Sequence, residues 1–178
     1  MSALHADALA TLDGWVAPTP GQEALRTSYV EHLRAHPDGL FKACYPDHLT
    51  ASALVVSTDR RHVLLTLHRK AQLWFQFGGH LEPGDASLAG AALREAPEES
   101  GVTGLVLQPA PVHLDLHAVP FCDPRGGARH LDVRYVATAP EGAEHAVSAE
   151  SIDVRWWPVD ALPTDEPGIH ELVRRATG

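Results

Sequence analysis

The sequence predicts an α/β fold, an α/β/α sandwich around a mixed β-sheet. Two observations carry that prediction. Strand-like runs of branched aliphatic residues flank a single central helical stretch that ends near Gly101, and a second helical pattern closes the chain at Ile169 to Arg175. A helix with strands before and after it needs a sheet to pack on, and a further helix can cover the other face.

Taken in order, Leu4, Ala8, Leu9, Leu12, Trp15 and Val16 fall on one stripe of a short helix over residues 4–16, which ends at Gly14 to Pro18. Thr19-Pro20-Gly21-Gln22 then supplies an N-cap, a proline at the first helical position and a capping-box partner. Leu25, Tyr29, Val30 and Leu33 form the apolar face of this second helix, and His36-Pro37-Asp38-Gly39 stops it. Residues 1–47 are therefore assigned to an N-terminal helical extension and 48–178 to the main domain. The extension is expected to cover an edge or face of that domain, with packing in a homodimer as the alternative.

From His48 the pattern changes. Leu49 to Ser57 and His62 to His68 read as a hairpin across Thr58-Asp59-Arg60-Arg61, and Leu73 to Phe77 as a short aromatic strand leading to Gly78-Gly79. After the central helix, strands are predicted at Leu105 to Gln108, Val112 to Val119, Leu131 to Thr138 and Ile152 to Trp157. The loop at 120–129 joins the second and third of these, and helical turns follow at Val159 to Leu162.

The most informative stretch is Gly78 to Val102. Its end, Arg94-Glu95-Ala96-Pro97-Glu98-Glu99-Ser100-Gly101, is a helix C-terminus, because Gly101 suits the left-handed residue that closes many helices. Glu95, Glu98 and Glu99 stand at i, i+3 and i+4 and so share one face of the last turn. Like charges at that spacing repel, and the C-terminal end of the helix dipole is itself negative. Arg94 offsets only part of this, so the arrangement calls for a cation. An all-carboxylate donor set points to a hard divalent ion, Mg²⁺ or, as a substitute, Mn²⁺. Pro97 removes a donor from the helix interior at a cost of about 3 kcal/mol, so a kink is expected there, with a bulge near Leu93 as a way to relieve it.

These residues resemble the signature of the Nudix hydrolases, G-x5-E-x7-R-E-U-x-E-E-x-G-U, where U is aliphatic. Arg94, Glu95, Ala96, Glu98, Glu99, Gly101 and Val102 match its second half. Gly79 to Asp85 resembles its opening, with Asp85 in place of Glu and eight residues rather than seven before Arg94, a one-residue insertion. The resemblance implies a Nudix-type α/β/α sandwich over about residues 48–175, and a hydrolase of phosphoanhydride bonds that splits a diphosphate in a small nucleoside-diphosphate-linked molecule. It further implies that Glu95, Glu98 and Glu99 hold Mg²⁺, with Glu98 either a ligand or the base that takes a proton from water. Arg94, Glu98 and Glu99 are the catalytic candidates, Arg94 acting by orienting the carboxylates. The alternatives are a Nudix-like ligand-binding or regulatory domain without catalysis, and an isomerase of the same fold, for which neither Cys44 nor Cys122 stands in a suitable motif.

Composition narrows the field. In 178 residues, 44% hydrophobic and 21% charged, the net charge is -9, which argues against a nucleic-acid polymer as partner and allows a small phosphorylated substrate whose charge metal ions balance. Two cysteines form no disulfide framework and no metal-type pair, and no apolar run approaches the length of a membrane span. A cytoplasmic protein with no membrane partner is expected.

On the substrate side, Gly79, His80 and Glu82 of the box loop are candidates, with Arg69 and Lys70 ahead of the aromatic strand as phosphate contacts. Two further stripes draw notice among the 12 histidines. His113, Asp115 and His117 alternate with Leu114 and Leu116, and His130, Asp132 and Arg134 do the same on the expected hairpin partner. They could line a pocket wall, bind phosphate or hold a second metal, although the ordinary reading of such a pair is a solvated face. Glu150 and Asp153 stand where many members of the family carry a further carboxylate. Trp74, Phe75, Trp156 and Trp157 are assigned to the core.

Overall fold

A computed structural model describes residues 2–178 and arranges them as four helices and eight strands. Helix α1 is Ala3–Gly14 and α2 is Pro20–Ala35; strands β1 to β4 are Asp47–Val56, His62–His68, Trp74–Phe75 and Phe77–His80. Helix α3, Leu88–Ser100, is followed by β5 (Val106–Leu107), β6 (His113–Ala118), β7 (Arg129–Thr138), β8 (Ser151–Pro158) and α4 (Pro167–Thr177). Strand β1 is central. It runs parallel to β7 in unbroken register from Asp47↔Arg129 to Val56↔Thr138, and on its other side pairs antiparallel with β2 at one end and β4 at the other. Strands β3 and β8 extend the sheet from β2, and β5 and β6 extend it from β7. The sheet is mixed, as expected.

Alternation along β1 and β7 builds the layers. Leu49, Ala51, Ala53 and Val55 of β1, with Leu131, Val133, Tyr135 and Ala137 of β7, face one side and pack with α1, α2 and α3 in a single core. The opposite side is divided. Leu54, Val56 and Val136 meet Ile169, Leu172, Val173 and Ala176 of α4, whereas His48, Thr50, Ser52, His130, Asp132 and Arg134 occupy the other end of the same face, paired in register as His48↔His130, Thr50↔Asp132 and Ser52↔Arg134. That polar end, which α4 leaves open, is where the cleft forms.

The N-terminal helices are built into this core: Leu4, Ala8, Leu12, Tyr29 and Leu33 are buried with the sheet. Val16, placed on the apolar stripe by periodicity, is 87% exposed, because α1 ends at Gly14 and the stripe has no continuation. Gln22 departs from its expected capping role. Its buried amide donates to the Leu114 carbonyl (2.9 Å) and accepts from the Leu114 N–H (2.7 Å), so it pairs with β6 as another strand would. Asp7 of α1 accepts from Leu88 N–H at 2.9 Å, placing a carboxylate at the N-terminus of α3, where the helix dipole favours it.

Candidate functional site

Helix α3 begins at Ser87, whose hydroxyl accepts from Gly90 N–H, and ends at Gly101 with φ of 71°. It is α-helical throughout, so the bulge expected near Leu93 is not formed. A regular helix fixes spacing after Ser87, and the extra residue of the box is therefore absorbed between Asp85 and that cap. Pro97 sits in the last turn, where its carbonyl still accepts from Gly101 N–H.

Arg94 is the hub of the helix face. Its Nε and Nη2 contact both oxygens of Asp85 (3.0 and 3.1 Å), Nη1 reaches Glu95 (2.8 Å) and Glu98 (3.3 Å), and Nη2 also donates to the His80 carbonyl. The bond to Asp85 is the largest cause that raises the Arg94 pKa. Burial pushes Asp85 upward, but its bonds to Arg94 and to the Glu82 N–H prevail and hold it low. Asp85, which stands in place of the Glu of the box, thus ties the loop to α3 through Arg94. Glu82 itself is exposed and contributes its backbone N–H to Asp85, not a side chain to the cleft.

The three helix carboxylates have different surroundings. Glu98 is 59% exposed at its side chain and leans on Arg94. Glu95 is half-buried against Gly79, where an added Cβ would fall 2.9 Å from the carboxylate, so only glycine permits this approach. Burial raises its pKa, with Arg94 opposing. Glu99 points under Gly78 and Gly79 of β4, accepts from Gly78 N–H at 3.1 Å, and has its pKa raised to about 8, chiefly by burial and further by Glu95, Glu150 and Glu98. Gly78 is equally constrained, since a Cβ there would lie 2.3 Å from that of Ser52. No three acidic residues among those described bring carboxylate oxygens within 4.8 Å of one another. Arg94 draws Glu95 and Glu98 toward itself, and uncompensated like charges keep apart.

Glu99 opens onto a cleft of about 320 Å³, whose floor is the polar end of the sheet. There Asp132, 3% exposed, accepts from Thr50 (3.0 Å), Ser52 (2.8 Å), Gln76 (3.0 Å) and Arg134 Nε (2.9 Å). Arg134, likewise 3% exposed, also reaches Asp115 (2.8 Å) and the Gly168 carbonyl. Asp115, His117, Asp132 and Arg134 of the two alternating stripes are thus linked in one hydrogen-bonded network, with Asp132 and Arg134 buried and Asp115 and His117 half-buried, and not a solvated face. His113, 4% exposed, is held down at a pKa of about 4 by burial and by Arg134. Arg134 lines the cleft with its hydrogen bonds already committed.

The remaining walls comprise residues that local patterns did not single out. His68 lies between Phe121, stacked on it at 5.6 Å, and Phe75, edge-on at 6.5 Å. Phe75 packs against the core as expected and also lines the cleft, whereas Trp74 packs edge-on with Trp157. Lys70, Lys42 and Glu150 border the cleft. Arg69 does not: its guanidinium donates to the Ala149 and Ser151 carbonyls and tethers the start of β8. Asp153 is likewise occupied, with Arg155 and the Val154 N–H. Gly79 and His80 both line the cleft, as expected. Around His80 gather His48, His130 and Cys122, with imidazole centroids 4.9 to 5.2 Å apart. Burial and mutual repulsion lower the pKa of His80 to about 4 and of His130 to about 2.

Comparison with known proteins agrees with this architecture. The family model for the NUDIX domain matches residues 46–176, and the chain belongs to that family. The family is the one that the box resembles. A NUDIX-family hydrolase from Clostridium perfringens is similar at 25% identity and a TM-score of 0.58, over 72% of this chain and 95% of that one. The NUDIX domain of Shewanella oneidensis NrtR, complexed with ADP ribose, is 25% identical with a TM-score of 0.57, covering 76% and 89%. An Ap4A hydrolase from C. elegans shares the fold at 18% identity and a TM-score of 0.58, covering 71% and 93%. No curated protein matches the chain. No helix of the described residues is long and apolar enough to cross a membrane.

Proposed function

We propose that the protein is a Mg²⁺-dependent hydrolase that uses water to split the diphosphate bond of a small nucleoside-diphosphate-linked substrate. The observation that carries this reading is Glu99, a half-buried carboxylate with a strongly raised pKa at the wall of a cleft that also presents flat rings and lysines. The donor set fits a hard divalent ion. Glu95, Glu99 and Glu150 offer oxygen atoms alone, and their mutual repulsion is relieved by a cation. These three would hold Mg²⁺, with Glu98 as a further ligand or the base. When bound, the ion lowers the pKa of attacking water and neutralises the diphosphate oxygens.

The protein's own residues do the rest. Arg94 orients Glu95 and Glu98 through charge-assisted hydrogen bonds and fastens the box loop through Asp85 and the His80 carbonyl. The glycine pair lets the loop backbone pass close to Glu95 and Ser52. Lys70 and Lys42 bring positive charge to the phosphate end of the cleft, and Phe75, His68 and Phe121 offer ring faces to a planar base. The Gln76 Oε1, buried without a partner, is an acceptor free for a substrate N–H.

The test is turnover of a panel of nucleotide sugars, dinucleoside polyphosphates, modified nucleoside triphosphates and coenzymes with Mg²⁺ or Mn²⁺. Activity on at least one, lost in Glu99→Gln, is the expected outcome. A second reading, a ligand-binding or regulatory domain, is favoured by the similarity to the NrtR domain bound to ADP ribose and by the insertion in the box. Binding of ADP ribose by calorimetry, with no turnover of any panel member, would select it.

A further inference from the structure

Four side chains far apart in sequence meet beside the cleft: His48 on β1, His80 at the end of β4, His130 on β7 and Cys122 on the loop between β6 and β7. One ligand atom from each lies within 4.8 Å of all the others. The Cys122 sulfur is 3.3 Å from His80 Nε2 and 3.9 Å from His48 Nε2. With Zn–N near 2.0–2.1 Å and Zn–S near 2.3 Å, a tetrahedral site has edges of about 3.3–3.6 Å, so these separations need little adjustment. His48 is only 2% exposed, and the Nε2 of His130 is buried without any hydrogen-bond partner. Buried nitrogens are rarely left unpaired, and here a cation would satisfy the His130 atom directly.

We propose that His48, His80, Cys122 and His130 form a Zn²⁺ site. The donor chemistry differs from that of the helix carboxylates, since thiolate and imidazole together favour Zn²⁺ over Mg²⁺. Binding takes the proton from the Cys122 thiol and fixes its sulfur to three strand residues. Because Cys122 follows Phe121, which stacks on His68 in the cleft, the site staples that loop to the sheet and sets the position of an aromatic wall. Its role is therefore to position the cleft's edge, separately from the carboxylates of α3.

Tag-free protein, expressed with added zinc and purified without chelator, is expected to retain one Zn²⁺ per chain by elemental analysis. Replacement with Co²⁺ should give the visible bands of a tetrahedral ion and a near-ultraviolet thiolate-to-cobalt charge-transfer band. Cys122→Ser, on an exposed-side loop and checked for fold by circular dichroism, should lose the charge-transfer band and bind Zn²⁺ at least about 10–100-fold more weakly, no less than is typical of losing an outer partner. His130→Ala should weaken binding similarly, while His145→Ala, at an exposed loop position, should leave it unchanged. Glu99→Gln should keep the full cobalt spectrum, which separates this site from the hydrolytic one. The proposal is overturned if native protein holds no stoichiometric zinc, if Cys122→Ser gives the native cobalt spectrum, or if Glu99→Gln and not Cys122→Ser abolishes it.

Discussion

Two walls of one cleft are built on opposite terms. The acidic wall comes from one helix: Glu99 lines the cleft, Glu95 and Glu98 stand behind it on the same turn, and Arg94 beside them gathers Asp85 and Glu95. The imidazole wall comes from three strands and a loop, with His48, His80, Cys122 and His130 spread over more than half the box-containing domain. Neither wall could replace the other. The first carries negative charge that burial resists, whereas the second carries neutral rings whose charging burial resists. The lesson is that a short-range motif announces itself by spacing, and a site assembled by strand pairing stays silent until the sheet is in hand.

Glu99→Gln breaks the contrast most directly. It should lower Mg²⁺-dependent turnover by at least about 10–100-fold, no less than is typical of losing an outer partner of a metal site, read as phosphate release from an active panel substrate; native turnover in the variant would remove Glu99 from the chemistry. Next comes the floor shared by both walls. Asp132→Ala leaves Arg134 buried with a lost partner and should cost about 3–5 kcal/mol in urea unfolding, a value that a loss below 1 kcal/mol would contradict.

The pH response sharpens the comparison. Glu99 has its pKa raised from 4.5 to about 8 by burial, so the folded protein binds the proton more tightly than the unfolded chain. Its contribution is fully present below about pH 4.5 and is lost as pH rises toward about 8. Metal-free protein should therefore lose melting temperature over that window, Glu99→Gln should lose less and melt higher near pH 8, and Mg²⁺ should restore the difference. Equal slopes for the two proteins would show that Glu99 is not buried in this way. The smallest effects distinguish two neighbouring cations. Lys70→Ala should raise KM by about tenfold, the lower end of the about 1.5–3 kcal/mol of a charged hydrogen bond, as suits an exposed lysine, while Arg69→Ala should leave KM unchanged because its guanidinium serves β8.

Much of the fold was legible before any coordinates. Most strands and helices stand within a few residues of their expected places, because aliphatic alternation, the Thr19 cap and the Gly101 stop act locally, but Gly78 to His80 of the box loop belong to strand β4 and Val159 to Leu162 form no helix. Gln22 shows the limit. Its capping-box position was right in sequence, yet its amide found a stronger claim in the unpaired Leu114 backbone of β6. Phe75 and Lys70 likewise take their meaning from the cleft they border, and no periodicity separates a core aromatic from one that lines a wall.

The sequence by itself determined the box: four charged residues in six positions, whose spacing on a helix gathers Arg94 and three carboxylates on one turn. Only the tertiary structure decided that Thr50, Ser52 and Gln76 converge on Asp132, and that three histidines and Cys122 share a few ångströms. The physical reason is range. Helix geometry relates residues three and four apart, whereas the parallel register of β1 and β7 brings together residues 82 positions apart, as Thr50 and Asp132 show.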